Sequence, residues 1–114
     1  MSRIGIPVKQ KYLTPPEVRV AAYIIADIDV SDPTLYQEYR TLSTSAVAQY
    51  GGEFLVRGGS TTVLEGEWTP GRVVVLRFDS LAAARRFWES PEYEAARSVR
   101  LKAARGQFIL VEGV

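Results

Sequence analysis

The chain has 114 residues, 46% of them hydrophobic, and a formal net charge of +1, values that fit one globular domain built on one core. It contains no histidine and no cysteine, which excludes Ser-His-Asp and Cys-His triads, structural zinc and haem held by either residue type. Its 14 basic residues are balanced by 13 acidic ones and gather on no single face, so neither nucleic acid nor any other polyanion is an expected partner.

Residues 1–17 hold Pro7, Pro15 and Pro16 without apolar periodicity and read as an extended arm, suited to lying against a partner subunit. The arm has no apolar run of signal-peptide length, and no stretch of the chain reaches the roughly 18 apolar residues of a membrane helix. No membrane association is expected, and the lack of cysteine fits a reducing cytoplasm. The folded domain is expected over residues 18–114.

Val18 to Ile28 reads as the first strand. Ala22, Ile24, Ala26 and Ile28 point one way and Ala21, Tyr23 and Ile25 the other, so both faces need cover. Asp32 followed by Pro33 marks a helix start. Tyr36, Tyr39, Ala46, Val47 and Tyr50 recur at helical spacing behind it, with Leu35 and Leu42 widening the stripe. Gly51-Gly52 ends that helix, one of the pair in the left-handed conformation.

Glu53–Arg57 and Thr62–Trp68 read as two short strands of a hairpin turning at Gly58-Gly59-Ser60. Pro70-Gly71 makes the next turn, and Arg72–Phe78 is a strand with a buried Val-Val-Val-Leu centre. Ser80 caps a helix carrying Leu81, Ala84, Phe87 and Trp88, and Ser90 caps its continuation from Pro91. Ala96, Val99 and Ala103 form the continuation's apolar stripe, while Glu92, Glu94, Arg97, Arg100, Lys102 and Arg105 read as a solvated face. Gly106 is expected to end it, and Gln107–Val111 to form the last strand.

The order is β-α-β-β-α-β, an α+β arrangement of the ferredoxin-like kind, with two helices on one face of a four-stranded antiparallel sheet. The other face requires its own cover. Sheet-to-sheet packing in a homodimer supplies it most economically.

Three runs carry a family likeness: Gly51-Gly52-Glu53-Phe54-Leu55-Val56-Arg57-Gly58-Gly59, Leu64-Glu65-Gly66-Glu67-Trp68 and Arg72-Val73-Val74-Val75-Leu76-Arg77-Phe78. Together with Trp88-Glu89-Ser90-Pro91-Glu92-Tyr93 and the pair Tyr36 and Tyr39, over about residues 20–112, the chain resembles the family called domain of unknown function 1330. The resemblance implies a dimeric α/β barrel in which two ferredoxin-like sheets face each other. It implies no established activity. The wider superfamily includes cofactor-independent monooxygenases, haem-degrading enzymes, lactone isomerases and ligand-binding regulatory modules, so the fold does not fix the function.

Arg57, Glu65 and Arg72 stand within or beside apolar strands and are expected near the core. Arg57 or Arg72 suits a carboxylate or phosphate, gripped by paired guanidinium donors. Glu65 is the candidate catalytic acid or base if desolvated; the competing reading makes it a structural ion-pair partner of Arg57 or Arg72. Tyr23, Tyr36, Tyr39, Tyr93, Trp68 and Trp88 form an aromatic set that can line a cavity between sheet and helices, or simply fill the core. Ser90 is a helix cap, and Gly58-Gly59 is a turn that lacks the strand-to-helix context of a phosphate loop. The reading reached from the residues is a homodimer binding a small apolar or aromatic carboxylic acid, without metal or cofactor. An isomerase or oxygenase role, a purely binding role and a purely structural one stay open.

Overall fold

The structure, a computed structural model, describes residues 20–114. The arm expected over residues 1–17 lies outside the described residues. The elements are β1 (Ala22–Val30), α1 (Pro33–Gln49), β2 (Glu53–Arg57), β3 (Arg72–Phe78), α2 (Leu81–Trp88), α3 (Pro91–Ala103) and β4 (Ala104–Glu112). The strands form one antiparallel sheet in the order β2-β3-β1-β4, with the helices packed on one face. This is the ferredoxin-like α+β arrangement that the element order predicts.

Strand β1 sits between β3 and β4 and sets the parity of the sheet. Ile24 pairs with Leu76 and Leu110, and Ile28 with Arg72 and Gly106. Ala22, Ile24, Ala26 and Ile28 are buried beneath the helices. Tyr23, Ile25 and Asp27 alternate onto the open face, as period-two geometry demands. The strand runs to Val30, two residues past the expected end.

The capping signals act as the sequence implies. Asp32 accepts a hydrogen bond from the Leu35 N–H at 3.0 Å, Ser80 from Ala83 at 3.1 Å and Ser90 from Tyr93 at 3.0 Å. Each satisfies a helix N–H that has no partner within its own helix. Gly51 takes the left-handed conformation after α1, with φ of 77°.

Two expectations are corrected. Thr62–Trp68 forms no strand; residues 58–71 make one long connection, and β2 pairs directly with β3. Residues 61–69 are exposed throughout, so Val63, Leu64 and Trp68 bury too little surface to hold a ladder in place. Helix α3 also stops at Ala103, earlier than Gly106. The Ala103 carbonyl accepts from Ser31 N–H at 2.9 Å and Asp32 N–H at 3.0 Å, and pairing of Ala104 with Val30 then draws the chain into β4.

Strand β2 contains an irregularity that matters for everything below. Glu53 and Phe54 pair with Arg77 and Leu76, whereas Val56 and Arg57 pair with Val75 and Val74. Leu55 is the extra residue of a bulge. Strict alternation from Phe54 would send Arg57 to the open face. The bulge reverses the parity and turns Arg57 toward the helices.

Gly52 is where backbone and core meet most closely. A Cβ there would sit 2.6 Å from two atoms of the Phe78 ring, which is fully buried and pressed against Phe87. Gly52→Ala is therefore expected to cost about 1–3 kcal/mol through overpacking. Gly59→Ala, where a Cβ meets nothing within 4 Å, should leave the denaturation midpoint nearly unchanged. Urea unfolding of the two variants checks the contrast, and equal midpoints would contradict it.

Candidate functional site

A cavity lies between α1 and the helix-covered face of the sheet. Ile24, Ala26 and Ile28 of β1, Val74 and Leu76 of β3 and Phe108 of β4 form its floor, and Tyr36, Tyr39 and Ser43 of α1 its roof. Phe87, Trp88 and Tyr93 close one end, while Arg40, Arg57 and Arg72 gather with Phe54 in the same lining. It holds about 30 Å³ of free space, room for roughly two water molecules.

Each arginine arrives by a different structural route. Arg72 begins β3 on the same parity as Val74, Leu76 and Phe78, opposite Ile28. Arg40 stands four residues after Tyr36 on α1, hence on the same helical face. Arg57 is turned inward by the β2 bulge. Its Nη2 donates to Thr44 Oγ1 at 2.6 Å and to the Arg40 carbonyl at 3.3 Å. Its guanidinium carbon lies 3.9 Å from the Phe54 ring centroid, a cation–π geometry.

Among the described residues no carboxylate lines this cavity. The ion pairs among the described residues are Arg77 with Glu53 at 3.6 Å and Arg77 with Asp79 at 3.1 Å, both toward solvent. The Nε atoms of Arg40 and Arg72 are buried without a hydrogen-bond partner among the described residues. Buried guanidinium donors ordinarily find partners. The Arg57 guanidinium is held below its usual pKa, first by burial and then by the charges of Arg40 and Arg72. This is a cluster of cations lacking a counter-charge.

Tyr36, Tyr39 and Tyr93 bring phenol rings to the cavity lining. Tyr39 and Tyr93 share a hydroxyl–hydroxyl hydrogen bond of 2.9 Å in the core. Burial, and then the Tyr93 hydroxyl, push the Tyr39 phenol far above its ordinary pKa. Burial also raises Tyr36, with the Arg72 guanidinium opposing the shift. Trp88 stacks on Tyr93 and Phe108 at centroid separations of 5.1 and 5.3 Å. Arg97 fixes it from outside, donating to the Trp88 carbonyl at 2.6 Å and covering its ring.

The structure thus brings together Arg57, Arg72, Trp88 and Tyr93 of the expected site, along with Tyr36 and Tyr39. It separates the others. Glu65 lies on the exposed 58–71 connection and lines no part of the cavity, so the expectation that it ends close to the core is corrected. Neither Arg57 nor Arg72 pairs with it among the described residues. Tyr23 points to the open face, between Arg77 and Val111. Trp68 is 64% exposed. Its indole N–H donates to Asp27 Oδ2 at 2.8 Å, and Asp27 Oδ1 accepts from the Gly71 N–H at 2.8 Å, which moors the connection to β1.

Two contributors escaped the sequence reading. The signal for Arg40 was its i+4 relation to Tyr36. Arg100, expected on a solvated face, is only 4% exposed, packed 4.2 Å from the Phe108 centroid with its Nε unpartnered. It borders the residues of the cavity wall. Among the described residues no group of three Asp or Glu side chains gathers to hold a metal ion, and no helix is long and apolar enough to cross a membrane.

The chain belongs to the family described as domain of unknown function DUF1330, whose model matches residues 21–114. Comparison with curated proteins finds no match. Among solved structures it is similar to RPA0582, a protein of unknown function from Rhodopseudomonas palustris, with 17% identity and a TM-score of 0.67 over 96% of this chain and 95% of that one. It is similar to SnoaB, a cofactor-independent oxygenase from Streptomyces nogalater, with 14% identity and a TM-score of 0.57 over 80% and 90%. A dimeric ferredoxin-like protein of unknown function from Thermobifida fusca YX matches with 15% identity and a TM-score of 0.53 over 82% and 91%. At these identities the likeness is one of fold.

The Tyr39–Tyr93 pair yields a quantitative expectation. Tyr39→Phe leaves the Tyr93 hydroxyl buried without its partner and should cost about 1–3 kcal/mol, as should Tyr93→Phe. The double replacement removes both polar groups, so its cost should fall clearly short of the sum. Denaturant unfolding of the three variants measures the coupling, and strict additivity would contradict it.

Proposed function

We propose that the protein is a homodimeric binding module for a small carboxylic acid, whose carboxylate is held by Arg57 and Arg72 with Arg40 beside them. The observation that carries this reading is the cationic cluster. Arg40, Arg57 and Arg72 line one apolar cavity that no carboxylate of the described residues enters, and two of them keep a buried donor unused among those residues. A carboxylate placed among them supplies both the missing acceptors and the missing charge. Tyr36, Tyr39, Tyr93 and Trp88 offer the apolar and aromatic surface against which the rest of such an acid packs.

Binding is favoured over catalysis because of the cavity's acid–base inventory. Its lining holds phenols and guanidiniums, and Tyr39 is held protonated by burial. Neither residue type there serves as a base near neutral pH. SnoaB's oxygenase activity belongs to a protein that shares the fold at 14% identity, which is too little to transfer chemistry.

The dimer rests on the opposite face. Ile25 and Val75 pair across β1 and β3, Val56 lies beside Val75, and Ile109 beside Ile25. Ile109 is 60% exposed and Val111 42%. A contiguous apolar sheet face of this kind calls for a cover, and a second copy stacked sheet to sheet provides one. The dimeric relative from Thermobifida fusca supports the same assembly.

Titration with butyrate and benzoate, followed by calorimetry, tests the ligand reading. Arg72→Met should weaken binding by roughly tenfold to a hundredfold, the equivalent of about 1.5–3 kcal/mol for a lost charge-assisted hydrogen bond. Without ligand the same variant should unfold no earlier than the wild type, because it relieves repulsion and removes an unpartnered buried donor. Failure of both acids to bind at millimolar concentration overturns the reading. Light scattering tests the dimer: a mass of two chains is expected, and Val75→Glu should reduce it to one. A wild-type mass of one chain removes the dimer.

A further inference from the structure

The cavity described above has room for the head of a carboxylic acid but little more, at about 30 Å³. A second cleft of about 260 Å³ opens beside it, between α2 and the edge strand β4. The two share Ile24, Trp88 and Phe108 in their linings. The Trp88 and Phe108 rings, 5.3 Å apart and inclined at 50°, are therefore the partition between them. On the far side the cleft is faced by the Leu110 side chain, with the β4 strand at Ile109 and Arg85 and Glu89 of α2 also in its lining. It is apolar toward the sheet and charged toward the helix.

From these observations, and resting on the carboxylate reading above, we propose that the ligand is an elongated amphipathic acid. Its carboxylate sits at the arginine cluster, and its apolar tail passes the Trp88–Phe108 pair into the α2–β4 cleft. The register supports the length. Arg72 lies opposite Ile28, and Leu110 opposite Ile24; four residues of β1 separate the two levels, a rise of roughly 13 Å. The acid that fits is thus longer than a single ring or a short branched chain, and a straight alkyl or arylalkyl tail meets the requirement. Trp88 suits a partition that yields. It is only half-buried, and it lines both spaces.

A series of straight-chain acids, from butyrate through hexanoate and octanoate to decanoate, tests this on the full-length protein by calorimetry. Affinity is expected to rise about threefold to fourfold for each methylene that enters the cleft. Leu110→Phe, which narrows the cleft, should erase that rise for the longer acids and leave butyrate unchanged. Arg72→Met should weaken every member alike. Should Leu110→Phe fold poorly, Glu89→Trp, at an exposed position of α2 that lines the cleft, narrows it from the helix side and should give the same selective loss. Equal binding of butyrate and decanoate, with both still dependent on Arg72, overturns the elongated ligand and leaves the carboxylate site standing. A rise with chain length that survives Leu110→Phe and Glu89→Trp overturns it too, since the tail then lies elsewhere. Binding that is insensitive to Arg72→Met at every length, or absent at every length, removes the carboxylate site and this inference together.

Discussion

The guanidiniums of Arg40, Arg57 and Arg72 repel one another, and the fold nevertheless gathers them in the lining of one largely apolar cavity. Three separate features enforce the arrangement: the helical face that Arg40 shares with Tyr36, the parity of β3, and the bulge at Leu55. Removing the bulge would return Arg57 to solvent and leave two cations in the cavity. A single extra residue in an edge strand thus decides the electrostatic character of the site. Bulges re-aim side chains in this way because they reverse the in–out alternation of every residue that follows.

Repulsion of this kind has a thermodynamic consequence. A charge cluster that destabilises the empty protein is relieved when an anion binds, so ligand free energy and folding free energy become linked. Buried cations without partners are rare, since each unsatisfied donor is expensive. Under the proposed function, their retention here is the pattern of a site whose stability has been yielded to function. Arg77 shows the contrast. It lies on the open face with Glu53 and Asp79 as partners and carries no such tension.

Much of the fold was legible in the sequence because its punctuation is local. Asp32-Pro33, Ser80, Ser90-Pro91 and Gly51 mark helix ends through contacts spanning three or four residues, and each acts as its type predicts. The alternation of β1 was legible for the same reason. The connection over residues 58–71 was not, because Val63, Leu64 and Trp68 carry strand-like side chains while nothing covers them. That decision belongs to tertiary burial, and propensity has no access to it. Of the site, Arg57, Arg72, Trp88 and Tyr93 could be nominated from charges and aromatics near apolar runs. Glu65 was nominated by the same rule and fails it, since its run forms no strand. Arg100 was misread because the charges around it on α3 follow the dipole pattern of an exposed helix, while its own position faces Phe108.

The alternation of β1 also keeps two functions from interfering. Ile24, Ala26 and Ile28 face the cavity, while Tyr23, Ile25 and Asp27 face the open side. A change at one set alters the ligand space, and a change at the other alters the surface offered to a second copy or the mooring of residues 58–71. Both surfaces nonetheless rest on the same hydrogen-bonded strand, paired on both edges. Packing a second sheet against the open face stiffens that strand without touching the ligand. Because the cavity is small and its polar groups are unsatisfied, its geometry depends on a rigid floor more than a larger, wetter pocket would. Under the proposed function, sheet stacking on one side and anion binding on the other would be coupled through the rigidity of β1, with no residue shared between them.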